Sequence, residues 1–275
     1  MSTVKMDKKS LAEQVEKMRP WHHDIEINEE FSTGEVFSPT KILIPAENEG
    51  VSLISPRERF LKRLDSLYPD SLAGKRYLDC ACNAGAYCFM ARERGAEKVV
   101  GFDVRDHWID QAKFVQEQRT LAPTDRIEFH TLDLYDLPTR DFGKFDLTYF
   151  SGIFYHLPDP VTGLKIAADL TEDIIVVNTA MRRDENNPSG MTMAIESDTQ
   201  VMSGVHQMSW YPNGPECIHN ILSWMGFAEM KLTMDITREG YTNQRIELIA
   251  AREEGRLANL DGEYFTRRRA QKKAA

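Results

Sequence analysis

Four carboxylates recur beside short apolar runs. Asp79 lies in Tyr77-Leu-Asp-Cys-Ala-Cys-Asn-Ala-Gly-Ala86, Asp103 in Val99-Val-Gly-Phe-Asp103 and Asp133 in Thr131-Leu-Asp-Leu134. Asp146 opens Phe-Asp-Leu-Thr-Tyr-Phe, which leads into Ser151-Gly-Ile-Phe-Tyr-His-Leu-Pro158. The first of these reads as a strand that turns through small residues into a helix, so a ligand can approach the backbone and meet the free N–H groups of the helix start. Ala81 and Asn83 stand where a dinucleotide fingerprint has glycine, and only Gly85 is kept. That disfavours a pyrophosphate ligand and, with it, a nicotinamide-dependent oxidoreductase. Asp103 is placed to accept the two hydroxyls of a ribose, and Asp133 the exocyclic amine of an adenine. Each carboxylate alone is more often a helix N-cap than a ligand; their order and spacing together point to a nucleoside cofactor.

His156 follows the fourth of these strands by a few residues and is the first candidate for a general base, an imidazole being matched to proton transfer near neutral pH. His23 is the second. With His22 and Trp21 it forms a base and an aromatic wall suited to a small acceptor, and His206 is a weaker candidate. Arg182 and Arg183 stand where they can bind a carboxylate or phosphate on that acceptor. Met181, Met191, Met193, Met202 and Met208 enrich the same stretch in adaptable apolar side chains. Cys80, Cys82, Cys88 and Cys217 have neither C-x2-C spacing nor histidines at fixed offsets, so they read as small buried thiols and no metal site is expected.

The elements that must position these groups alternate regularly. Candidate strands run over 76–80, 98–103, 126–131, 145–150 and 173–178, with helical periodicity at 85–94, 106–119 and 161–170. Such βαβ alternation forces a parallel sheet with helices on both faces. Pro215 and Gly226 bracket a further helix. The runs 229–235 and 245–251 are joined by a link too short for a crossover and should pair antiparallel, giving an α/β, Rossmann-like sheet of seven strands. Residues 1–54, which precede the first helix, and 179–214 do not fit the alternation and are the expected lid segments over a core domain of 55–255. Residues 256–275 form the expected basic tail.

The chain has 275 residues and 41% apolar content, enough for one sizeable core. It carries 34 Lys plus Arg against 43 Asp plus Glu, a net charge of −9. An acidic body disfavours extensive nucleic-acid binding and favours a small-molecule acceptor. No apolar run is long enough for a membrane span and no signal core opens the chain, so a cytoplasmic location is expected. Oligomeric state is not legible.

Taken together, the strand-one turn, the acidic residues after strands two and three, and the Phe145-Asp146 to His156 spacing resemble the class I S-adenosylmethionine-dependent methyltransferases over about residues 73–252. The sequence departs from that pattern at Ala81, usually glycine. The resemblance implies S-adenosylmethionine as cofactor, with Asp79, Ala81, Asn83 and Gly85 lining its methionine part, Asp103 the ribose, and Asp133 and Leu134 the adenine. It also implies that Val104 packs on the adenine ring and that Phe150 and Ser151 close the floor.

Gly152-Ile-Phe-Tyr-His156, the segment Pro20-Trp-His-His-Asp-Ile-Glu-Ile27, Trp210-Tyr-Pro-Asn-Gly-Pro215 and the final 239–250 run are similar to the branch holding the tRNA wobble-uridine carboxymethyl/methyltransferases. That likeness implies that Tyr155 and Arg245 hold the carboxylate of a carboxylated cofactor, and it adds Trp210 to the candidate substrate residues. The sequence offers His23 where those enzymes use lysine and an acidic stretch where they are basic, which argues against that cofactor and against tRNA. The expectation is methyl transfer to an oxygen, less readily a nitrogen, of a small metabolite. The alternatives are a tRNA wobble-uridine methyl- or carboxymethyltransferase and a cofactor-binding scaffold without turnover.

Overall fold

The computed structural model describes residues 5–34, 56–196, 205–236 and 244–264. In chain order the elements are α1 (Lys8–Lys17), β1 (Glu26–Asn28), β2 (Phe31–Ser32), α2 (Pro56–Leu67), β3 (Arg76–Cys80), α3 (Ala86–Glu93), β4 (Lys98–Asp103), α4 (Asp106–Gln118) and β5 (Ile127–Thr131). They continue as β6 (Phe145–Ser151), α5 (Pro160–Asp169), β7 (Thr171–Met181), β8 (Met191–Ile195), β9 (Met208–Pro212), α6 (Pro215–Trp224), β10 (Glu229–Ile236), β11 (Gln244–Ala251) and β12 (Glu263–Tyr264).

The main sheet has the order β12-β10-β11-β7-β6-β3-β4-β5. Strands β3 to β7 are mutually parallel, and β11 enters antiparallel between β7 and β10. The expected seven strands are present, and the two-residue β12 adds an eighth at the β10 edge. Side chains alternate between two apolar layers, as the pleat requires. Tyr77, Val99, Leu147, Tyr149 and Val176 pack on one face, and Leu78, Val100, Phe150, Ile175 and Val177 on the other. The chain runs outward from β3 through β4 to β5, then returns to β6 on the other side of β3. Ligands of open α/β sheets bind at such a reversal, outside the carboxyl ends of the strands; here it brings the turn after Asp79 beside Ser151–His156.

Three expectations change. The first helix is α1, capped by the Asp7 side chain on Ser10 N, and not one beginning after residue 54. Its segment packs along α4: Gln111 donates to Met18 O and Pro20 O, and Thr120 N to Ile27 O. The second irregular region starts later than residue 179, because β7 runs on to Met181; its described part is the antiparallel hairpin β8–β9. Finally, residues 256–264 are folded and not tail. Arg256 pairs with Asp173, and Leu257 and Leu260 are buried. Met202, residues 35–54, the 237–243 link and the basic run 265–275 lie outside the described residues.

Candidate active site

The β3–α3 turn is built around left-handed backbone. Ala81, Asn83 and Gly85 have φ of 60°, 53° and 78°. At Gly85 a side chain is strained, since a Cβ would lie 2.5 Å from the Phe129 ring and force it to shift. The missing side chain lets α3 begin close against β5. The turn is pinned from the neighbouring strand, with Cys82 N donating to Phe102 O at 2.9 Å and Asn83 N to the Asp103 carboxylate at 3.2 Å.

Two carboxylates face this turn from within the fold. Asp103 is buried and also accepts from Arg105 N at 3.1 Å, so its charged form has backbone donors, although burial still raises its pKa. Asp79 is buried with the Cys88 thiol, 3.5 Å away, as its hydrogen-bond partner. Burial, and then the neighbouring Asp103 charge, push it up to about 8. A buried carboxyl group this poorly compensated fits a cationic ligand group, and Asp103 fits a hydroxylated one.

The remaining expected cofactor residues divide. Val104 is 38% exposed just past β4, an apolar side chain open at the site. Asp133 caps the short 3-10 helix after β5 through Tyr135 N, and its other oxygen lies 3.7 Å from Nε2 of His206 on the hairpin side. Ser151 is half-buried at the end of β6. Phe150 is fully buried in the core and forms no exposed floor, and the Leu134 side chain packs under Gly163 of α5, leaving only its backbone toward a ligand.

His156 ends a 3-10 turn, Phe154–His156, at the carboxyl end of β6. Its Nδ1 pairs with the carboxylate of Glu196, just past β8. That contact puts the ring proton on Nδ1 and leaves the Nε2 lone pair free. Burial lowers the His156 pKa, with Arg105 and Arg245 acting in the same direction and Glu196 opposing them, so the imidazole is neutral at pH 7. Tyr155 lies 4.0 Å from the His156 ring and stacks on Tyr211 of β9 at 5.8 Å. Arg245 lies over Tyr155 at 5.9 Å and donates from Nε to Asn178 Oδ1 at 2.6 Å. Asn178 is held in turn by buried Glu247, which also takes Arg63.

Three other candidates are relocated. Trp21 is 0% exposed, and its Nε1 donates to Val15 O at 2.8 Å; it is a core residue and not an acceptor wall. His23 packs edge-on against Tyr87, and burial followed by the adjacent His22 drives its pKa down to about 3, too weak a base for efficient proton transfer at neutral pH. Trp210 lies on the opposite face of β9 from Ser209 and Tyr211 and donates to Pro158 O at 3.1 Å, a tether for the hairpin. His22 packs edge-on against His23, and burial, followed by the Arg245 charge, lowers its pKa. Glu196 and Tyr211 carry no signal in the sequence, because only the pairing of β8 with β9 turns them inward. The four cysteines are free and buried, and among the described residues no helix is long and apolar enough to cross a membrane.

A family model described as a methyltransferase domain matches residues 71–230. A tRNA U34 carboxymethyltransferase of Campylobacter hominis is 35% identical over 95 residues, covering 34% of this chain and 31% of that protein. A ubiquinone biosynthesis O-methyltransferase of Acinetobacter baylyi is 26% identical over 156 residues, 54% of this chain and 62% of that one. The chain thus spans about a third of the length of the carboxymethyltransferase. Among solved structures, the N-terminal domain of EvdMO1 in the presence of SAH and D-fucose superposes with a TM-score of 0.70 at 18% identity, covering 90% of this chain and 97% of that one.

Proposed function

This chain belongs to the methyltransferase-domain family, whose model spans more than half of it, and from that premise we propose that it moves the methyl group of S-adenosylmethionine to a hydroxyl oxygen of a small acceptor, with His156 as general base. The cofactor supplies an electrophilic methyl group on a sulfonium. Asp79 and the left-handed turn at Ala81, Asn83 and Gly85 would hold its methionine part, Asp103 its ribose, and Asp133 with Val104 its adenine.

The chain's own work is to position the acceptor and take its proton. The single observation that carries this reading is the His156–Glu196 pair at the switch point of the sheet. Glu196 fixes the tautomer with Nε2 unprotonated and stabilises the imidazolium as it forms. The buried surroundings keep the imidazole neutral and ready at pH 7. Tyr155 and Tyr211 give the acceptor a flat apolar wall and shield the exchange from water.

The test is a panel of hydroxylated small acids, phenols and sugars assayed for S-adenosylhomocysteine release. His156→Ala should lower turnover by about 100-fold or more, with S-adenosylhomocysteine affinity retained in equilibrium dialysis. Near-normal turnover removes His156 from the role. The wobble-uridine alternative rests on the names of relatives of which the chain covers only a part. It requires tight tRNA binding with a steep salt dependence, for which a chain of net charge −9 is poorly suited.

A further inference from the structure

Arg182 and Arg183 are adjacent in sequence and sent to opposite sides where β7 ends. Arg183 is neutralised, since its Nη2 reaches both oxygens of Asp235 at 2.6 Å and its Nε reaches Gln244. Arg182 turns the other way. Its Cζ lies 4.3 Å over the ring of Tyr211, its Nε is buried with no hydrogen-bond partner, and among the described residues it pairs with no carboxylate. A guanidinium keeps its charge at any physiological pH, so a half-buried one against an aromatic face favours an anion beside it.

The surroundings place that anion in the acceptor site. Tyr211 stacks nearly parallel on Tyr155, with 19° between the planes, and Tyr155 adjoins His156. Arg182 is therefore linked to the base through two aromatic rings. Ser209, the next inward side chain of β9, has its hydroxyl buried without a partner as well. Two donors lacking acceptors thus sit on one wall.

We propose that the methyl acceptor is a hydroxylated anion whose carboxylate or phosphate is bound by Arg182 against Tyr211 while its hydroxyl lies at His156. This subsite deepens the reading of His156 as base and rests on it. It makes Arg182 a specificity-determining residue.

The experiment is calorimetric titration of the full chain, saturated with S-adenosylhomocysteine, with benzoate, inorganic phosphate and the neutral benzamide. Benzoate or phosphate should bind at least about tenfold more tightly than benzamide, the scale of one charge-assisted hydrogen bond, and whichever is tighter names the anion. Arg182→Gln should erase the preference, whereas Arg183→Gln should keep it. Equal affinity for benzoate, phosphate and benzamide in the unaltered protein overturns the proposal without any variant, as does a preference that survives Arg182→Gln. Failure to bind S-adenosylhomocysteine at the outset would instead overturn the methyltransferase reading beneath it, so the two failures are separable.

Discussion

Asp79 should release a proton when the cofactor binds. Burial, and then the nearby Asp103 charge, lift the pKa of its carboxyl group to about 8 against the lowering effect of the Cys88 thiol hydrogen bond. At pH 7 such a group is mostly protonated, and ionising it against that preference costs on the order of 1 kcal/mol. A cationic ammonium brought beside it reverses the preference. Binding at pH 7 should therefore release most of one proton per chain, and affinity should rise roughly severalfold to tenfold between pH 6 and pH 7, where the ligand's own amino group stays charged. Calorimetry with S-adenosylhomocysteine in phosphate and in Tris at pH 7 reads the released protons from the difference in apparent enthalpy. Asp79→Asn supplies the baseline for protons exchanged elsewhere. If unaltered protein and Asp79→Asn give the same buffer dependence, Asp79 does not meet the cation and the reading of the β3–α3 turn is refuted.

Glu196→Gln should lower turnover and shift the acid limb of the pH–rate profile to lower pH, because Glu196 is the group that raises the His156 pKa; an unmoved limb separates the two residues. Gly85→Ala places a methyl group 2.5 Å from the Phe129 ring and should cost about 1–3 kcal/mol in urea unfolding together with a loss of cofactor affinity; wild-type stability would contradict the close approach. Ala81→Gly should stabilise by up to about 1 kcal/mol, since Ala81 holds φ at 60°, where glycine is unstrained; a lower melting temperature would count against this. Trp21→Phe should destabilise by about 1 kcal/mol through the lost bond to Val15 O and leave acceptor KM unchanged; a raised KM would return Trp21 to the acceptor site.

The parallel core was legible because its strands are buried on both faces and its helices carry a clear apolar stripe, so periodicity alone separates them. The carboxylates at the strand ends were legible by spacing, and His156 by its distance from the fourth strand. What escaped depends on packing between segments remote in sequence. Trp21 beside two histidines reads the same whether it walls a ligand or fills a core, and only its bond to Val15 O decides. Thr192, Ala194 and Glu196 alternate with Met193 and Ile195, yet which set faces inward is fixed by the pairing of β8 with β9, which leaves Ile195 86% exposed and Glu196 on His156. Arg182 and Arg183 looked equivalent until the end of β7 sent one to Asp235 and the other to Tyr211.

Native mass spectrometry of the purified full chain, alone and after addition of S-adenosylmethionine or NADH, identifies the bound nucleoside by its mass. One S-adenosylmethionine or S-adenosylhomocysteine per chain is expected, with binding weakened by Asp103→Ala and not displaced by NADH. Retention of NADH, or no nucleoside bound even with S-adenosylmethionine in excess, would contradict it.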